Sequence, residues 1–350
     1  MKKNRLSLLF FYLTLTFAFT SCSDDEPKPE PSEKPFAGIY VLNTGSYPAN
    51  NSNLFFYNSN TQIATKDIFN AVNNQALGKT GNNMIVYGSK MYIAMTDQNA
   101  IYVTDRKSKL LKTIETLEKP RYFTSDNGKV YVSSFTGVVA CIDTTEMQIK
   151  KEIPVGKYPE QIVISNNKLY VANSDYTYDQ SQKTVSVVDL TNDTENKIEV
   201  AVNPAYLAKN SAGNIYVLAL GNFYANIPAA LYKIDASNNV TPMNITATEM
   251  TICNDKLYLL NTVYDETGSS STITVFDTRT DAVIPNAFIK DYSVFSSSPY
   301  KLSADEVSGD IYITSQGTEG GEVYIFDSNG NLKKKMSTGG DYPVCTVNVR

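Results

Sequence analysis

The chain has 350 residues, enough to bury a large core, with 31 basic against 36 acidic side chains and a net charge of −5. That acidic balance, with no basic cluster, argues against a nucleic-acid partner. Histidine and tryptophan are absent while tyrosine is abundant at 24; the lack of histidine excludes a Ser-His-Asp triad, a histidine-ligated metal and histidine-ligated haem.

Residues 1–21 have the layout of a targeting segment. Lys2, Lys3 and Arg5 make a positive start, and the 14 residues Leu6 to Phe19 are mostly apolar but too short to span a bilayer. Thr20-Ser21-Cys22 then resembles the lipobox of bacterial lipoproteins, which implies cleavage before Cys22 and acylation of that residue. Cleavage would remove three cations and leave 28 basic against 36 acidic residues, a balance of −8. Ser23-Asp24-Asp25-Glu26 follows the lipid site and resembles the surface-export signal of lipoproteins in the Bacteroidetes. The expected address is therefore the outer membrane, exposed at the cell surface. Residues 22–36 form the tether: PKPEPSEKP places proline at 27, 29, 31 and 35 with charges between, a composition for a stiff spacer and not for a core.

The folded domain is expected over residues 37–350. Its organising unit is clearest from Cys141 to Asn173, where four short alternating runs are separated by turn residues, the pattern of consecutive antiparallel strands. One piece of this unit recurs seven times. The copies are Gly38-Ile39-Tyr40-Val41, Lys90-Met91-Tyr92-Ile93, Lys129-Val130-Tyr131-Val132, Lys168-Leu169-Tyr170-Val171, Asn214-Ile215-Tyr216-Val217, Lys256-Leu257-Tyr258-Leu259 and Asp310-Ile311-Tyr312-Ile313. The tyrosines lie 52, 39, 39, 46, 42 and 54 residues apart. Each copy leads to an apolar run closing on Asn58, Asp105, Asp143, Asp189, Asp235, Asp277 or Asp327. A period near 40–50 residues with four strands per unit predicts a seven-bladed β-propeller, all-β, with four antiparallel strands per blade. Each tyrosine suits the gap between sheets, with its ring packed and its hydroxyl reaching a polar neighbour.

Inner strands are expected to begin near Asn83, Pro120, Pro159, Pro204, Thr248, Pro299 and Pro343. The first tyrosine copy has no inner strand before it, and the last inner strand has no tyrosine copy after it. The two ends therefore complete one blade, with the C-terminal strand joining residues 38–70. Cys141, Cys253 and Cys345 sit inside apolar runs and are expected to be buried free thiols.

VGKYPEQIVISNNKLYVAN followed by VSVVDLTND resembles the YVTN-type repeat of bacterial seven-bladed propellers. Gly38 to Gly45, Asn50 to Tyr57, Leu231 to Asp235 and the ending Pro343-Val344-Cys345 are similar to exported propeller lipoproteins of the Bacteroidetes. That group includes surface lipoproteins that capture cobalamin and related corrinoids above a TonB-dependent outer-membrane transporter. The resemblance thus implies a corrinoid ligand and a transporter partner.

Because strands alternate in direction, the first-to-second and third-to-fourth turns fall on one face. The other connections fall on the opposite face, and nearly every long insertion lies there: residues 43–53, 173–184, 219–229, 261–272, 315–322, 69–82 and 286–298. Long loops on a rigid scaffold are where binding concentrates. Tyr47, Tyr176, Tyr178, Phe223, Tyr224 and Tyr264 are candidate contact rings. Asn50, Asn51, Asn73, Asn74, Asn222 and Asn226 are candidate hydrogen-bonding groups. Arg121, following Pro120, is a candidate anion contact at the axial channel. Such a lining suits an amphipathic small molecule or a glycan, and equally a protein partner. Asp175 with Asp179, Asp265 with Glu266, and Glu319 with Glu322 are carboxylate pairs that a glycosidase or a calcium site would use. No catalytic, metal or cofactor site is otherwise expected.

Overall fold

The computed structural model describes residues 36–350 apart from 267, 318 and 319. The targeting segment, the tether as far as Pro35, Cys22 and Glu319 lie outside the described residues, whereas Phe36, expected in the tether, stacks on Phe56 with ring centroids 5.0 Å apart. Seven four-stranded antiparallel sheets form a ring of blades, numbered 1 to 7 from the N-terminus. Their inner strands are Pro343–Val349 for blade 1, then Gly81–Tyr87, Pro120–Asp126, Pro159–Ser165, Pro204–Lys209, Glu249–Cys253 and Pro299–Asp305. All seven lie within two residues of the expected starts. Blade 1 closes the ring: Pro343–Val349 pairs antiparallel with Gly38–Asn43, running from Gly38 opposite Val349 to Leu42 opposite Cys345.

Every repeat tyrosine lies in the second strand of its blade and is at most 4 % exposed. Each also belongs to a different core cluster, shared with the following blade. Tyr40 packs with Met84, Met91 and Tyr102 of blade 2, and Tyr92 with Phe123 and Val132 of blade 3. The series ends with Tyr312 of blade 7 against Val41 and Phe55 of blade 1. A single blade leaves these faces bare, so the seven interfaces are the core, and a closed ring covers all of them. The expected hydroxyl partner is found for Tyr40, which donates to the Arg106 carbonyl at 2.9 Å, and for Tyr312, which donates to Asn348 at 3.0 Å. The buried Tyr92 hydroxyl has no partner among the described residues. There the ring alone explains the tyrosine.

The Asp or Asn closing each third strand makes the next turn. The Asp143 carboxylate accepts from the amides of Thr145 and Glu146, both at 2.8 Å, and Asp235 accepts from Ser237 and Asn239 at 2.8 and 2.9 Å. Asn58, Asp105, Asp189, Asp277 and Asp327 repeat this bonding. An Asx side chain mimics a backbone turn in this way, which is why the position recurs. Gly156 and Asn173 of the YVTN-like stretch also touch: a Cβ on Gly156 would lie 2.2 Å from the Asn173 side chain. Cys141, Cys253 and Cys345 are buried and free.

Two long connections are more ordered than a loop reading implies. Residues 69–82 contain the end of a short helix, Ile68–Asn73, whose Phe69 is fully buried and stacks on Tyr102 with ring centroids 5.4 Å apart. The 261–272 loop is a continuation of a hairpin between Lys256–Asp265 and Gly268–Asp277. Its Thr and Ser side chains suit strands, and Thr262 and Ser271 hydroxyls meet at 2.9 Å.

Candidate functional site

The site grows from a backbone device repeated on the long-loop face. In five blades the residue before the inner strand is left-handed: Thr80, Lys119, Tyr158, Asn203 and Tyr342, with φ of 54, 48, 47, 64 and 54°. Four of these precede proline, which favours extended backbone, so the conformation is strained. It is held from across the blade. The amides of Thr96, Phe135, Ser174, Leu220 and Thr44 donate to these carbonyls at 2.8–3.2 Å. Just inside, the ladder slips between Pro120 and Phe123 and between Pro159 and Ile162. Such bulges re-aim side chains, and here they release Arg121 and Glu160 from the pairing.

Arg121 and Glu160 meet near the axis. The Arg121 Nε and Nη2 donate to the Glu160 carboxylate at 2.8–3.0 Å, and both side chains are largely buried. Deeper in, Lys301 Nζ lies 2.6 Å from Glu249 and 2.6 Å from the Tyr206 hydroxyl. Burial pushes the Glu160 and Glu249 carboxyls above the usual carboxylate range, against the pull of Arg121 and Lys301. Burial also opposes the charge on Lys301, but Glu249 together with Tyr206, Tyr122 and Tyr300 outweighs it, and the ammonium is held well above its ordinary pKa. We read both pairs as ionised, because each is close and charge-assisted.

Beside this network a cavity of about 400 Å³ opens on the long-loop face between blades 2, 3 and 4. Phe135, Tyr158 and Tyr176 form its apolar wall. Their ring centroids are 5.1 Å apart for Phe135 and Tyr176, 5.6 Å for Tyr158 and Tyr176, and 5.9 Å for Phe135 and Tyr158. The Arg121 guanidinium lies 4.3 Å from the Phe135 centroid. Lys119 and Asp97, paired at 2.7 Å, complete the wall with Thr80, Thr96 and Thr136. Across Arg121 and Tyr176 lies a smaller, more polar cavity of about 180 Å³, bordered by Glu160, Asp175, Asn203, Tyr206 and Lys301 among others.

The candidate residues divide into groups. Arg121 and Tyr176 border both cavities, and Tyr178 borders the smaller one. Tyr178 stacks edge-on against Tyr224 at 5.7 Å, and Phe223 meets Tyr224 at 5.9 Å, a second ring cluster. Phe223 and Tyr224 are nonetheless 87 and 80 % exposed. Tyr47 and Tyr264 are exposed at 95 and 75 %, away from both cavities. Asn50 is exposed on a left-handed turn. Several other amides bond within their own loop or to a neighbouring one. Asn73 bonds to Phe69, Ser108 and Leu110, and Asn222 caps the short helix Phe223–Ala225 while donating to the Tyr178 carbonyl at 2.9 Å. Asn74 and Asn226 are left-handed caps.

The carboxylates Asp175 and Asp179 do come together. Burial raises Asp175, while hydrogen bonds from Ser181 lower Asp179 to about 2. Among the described residues no cluster of three or more acidic or cysteine side chains could hold a metal. Phe135 and Tyr158 escaped the sequence reading because it followed long loops. Phe135 sits in a tight turn and Tyr158 directly precedes a strand. The signal for Tyr158 was its place before Pro159, shared with Lys119, Asn203 and Tyr342.

The chain is similar in structure to hydrazine synthase of Kuenenia stuttgartiensis, with TM-score 0.62 and 17 % identity over 76 % of this chain and 88 % of that one. It is also similar to a Bacteroides fragilis protein provisionally named a 6-phosphogluconolactonase, with TM-score 0.64 and 13 % identity over 92 % of this chain and all (100 %) of that one. A Lactobacillus plantarum protein matches with TM-score 0.59 and 13 % identity over 90 % of this chain and 100 % of that one. At such identities these likenesses show the fold alone. No curated protein matches the chain. The family model described as a domain of unknown function, DUF5074, matches residues 37–348, and the chain belongs to that family.

Proposed function

We propose that this protein is a lipid-anchored surface propeller that captures an amphipathic small molecule in the cleft between blades 2, 3 and 4. The leading ligand is a corrinoid, to be passed to a TonB-dependent outer-membrane transporter. The observation that carries the reading is the convergence of Phe135, Tyr158 and Tyr176 on one open cavity of about 400 Å³ with charged groups at its rim. Apolar walls with a few placed polar groups are the usual make-up of a small-molecule site. A corrinoid exceeds that volume, so one edge of its ring would enter while its amide side chains met the rim. Calorimetry with cyanocobalamin and cobinamide tests the ligand: saturable binding supports it, and no heat at high micromolar ligand rejects the corrinoid. The anchor is tested separately. Cys22→Ala should move the protein from the membrane to the soluble fraction, and unchanged partitioning would reject lipidation.

A protein-docking reading draws on a different observation. Phe223, Tyr224, Tyr264 and Tyr47 are 75–95 % exposed on the same face. Large rings so bare suit a macromolecular contact, here the transporter. Phe223→Ser with Tyr224→Ser should weaken co-purification with that transporter while leaving small-molecule binding unchanged.

A further inference from the structure

The cleft's charge and its open hydrogen-bonding edge indicate which ligands it selects; this step rests on the small-molecule reading above. Three aromatic faces around one opening ordinarily suit an ammonium group. Here a cation is already in place. The Arg121 guanidinium covers Phe135 at 4.3 Å, and Lys119 adds a second positive group to the same wall. Asp97 is the one carboxylate among the described residues bordering this cleft. Glu160, the counter-ion of Arg121, borders the smaller cavity instead. The wall itself therefore carries two cations against one carboxylate, with Glu160 behind Arg121.

The Arg121–Glu160 pair is also incomplete. Glu160 engages Nε and Nη2, while Nη1 makes no hydrogen bond among the described residues. A guanidinium offers five N–H donors, and the Nη1 edge, which is not sealed from solvent, is free to take an acceptor from a ligand. The ion pair and the ring contact already fix the fork, so little side-chain freedom is lost when a ligand arrives.

We propose that Arg121 Nη1 is the specificity-determining donor of the cleft. It selects planar ligands carrying an acceptor oxygen, a carboxylate first and an amide carbonyl next, and disfavours planar ammonium ions. The test is calorimetric titration of the full chain with three probes of one shape: 1-naphthoate, 1-naphthalenemethanol and 1-naphthylmethylammonium. Naphthoate should bind about tenfold more tightly than the alcohol, the effect of one hydrogen bond to a charged group. The ammonium should bind more weakly than both.

Arg121→Lys keeps a counter-charge for Glu160 but loses the fork. It should shrink the preference for naphthoate over the alcohol to about twofold. If that variant melts early, Arg121→Met combined with Glu160→Leu removes the pair without stranding a charge, and the same loss of preference is expected. Equal affinity for the three probes, or tighter ammonium binding, overturns the selectivity while leaving the cleft a ligand site. Binding of none of them at millimolar concentration rejects the cleft itself, and the selectivity with it.

Discussion

The two faces of the ring solve the same problem differently. On the short-turn face one side chain recurs: Asp or Asn ends each third strand and accepts the amides of the turn that follows. On the long-loop face what recurs is a backbone state. Five blades place a left-handed residue before the inner strand, yet the side chain there is Thr80, Lys119, Tyr158, Asn203 or Tyr342. A local hydrogen bond demands a particular side chain. A strained backbone held by amides from the neighbouring strand does not, provided the surroundings fix it. The first face is thereby uniform, and the second is free to vary around a rigid frame.

Both faces depend on closure of the ring, so the largest expected effect comes from opening it. Removing residues 341–350 takes away the inner strand that pairs with Gly38–Asn43. It also strips Cys345 and Val349 from the cluster around Tyr40. The loss should reach several kcal/mol, a large share of the ~5–15 kcal/mol typical of a folded protein. Denaturant melts should show early, poorly cooperative unfolding. A truncated chain melting like the intact one would contradict the closure.

The same contrast explains what the sequence revealed. The tyrosine copies and the closing Asp or Asn are local signals at a fixed period, so blade number, strand starts and ring closure were all legible. Long insertions pointed to the face on which the cleft opens but not to the cleft itself. Phe135 comes from a four-residue turn and Tyr158 from a strand mouth, and only packing across blades 3 and 4 brings them to Tyr176. Tyr47 and Tyr264 look identical to Tyr176 in sequence, since composition does not record which loop tip leans inward. Arg121 was placed at the channel from its position after Pro120. Its bond to Glu160 was not visible, because the partners are 39 residues apart and meet only through equivalent bulges.

The axial network offers the next largest effect. Lys301→Met leaves Glu249, 5 % exposed in its side chain, without its cation. Breaking one side of a buried pair costs about 3–5 kcal/mol. Adding Glu249→Leu to the same chain should return most of that stability, because no charge is then stranded. Thermal melts of the single and double variants separate the two outcomes. A single variant as stable as the parent would mean that Glu249 is already neutral.

The proposed binding in the cleft should be lost without loss of fold. Tyr176→Ala removes a ring that is 60 % exposed yet packs against both Phe135 and Tyr158. Affinity for the cleft ligand should fall about tenfold, in keeping with loss of one stacked ring worth ~1–1.5 kcal/mol, while the melting temperature stays put. Tyr264→Ala, on the hairpin between Lys256–Asp265 and Gly268–Asp277, should change neither. Equal losses from both variants would erase the distinction between the cleft and the rest of the face.

The smallest effect belongs to the uniform face and appears as a response to acid. Backbone or side-chain hydrogen bonds at the turns hold Asp143, Asp189, Asp235 and Asp327 below the usual aspartate pKa. A carboxyl with a lowered folded pKa contributes stability that is present above its unfolded value and lost as pH falls through the folded one. The turns should therefore weaken together once the pH drops below about 4, the unfolded aspartate value. Glu160 and Glu249 act in the opposite sense. Their folded pKa values are raised by burial, so their contribution is present below the unfolded glutamate value and declines as pH rises through the folded one. The two groups offset each other in mild acid, and the turn aspartates dominate below it. Asn58 already performs the turn with an uncharged amide, accepting from Asn60 and Thr61 at 2.9 and 3.0 Å. Replacing Asp143, Asp189, Asp235 and Asp327 by Asn should therefore leave the melting temperature near neutral pH almost unchanged and flatten its fall between about pH 4 and pH 2. Replacement of the same four by Ala should lower the melting temperature at every pH. An acid limb as steep in the Asn variant as in the parent would place the loss of stability elsewhere.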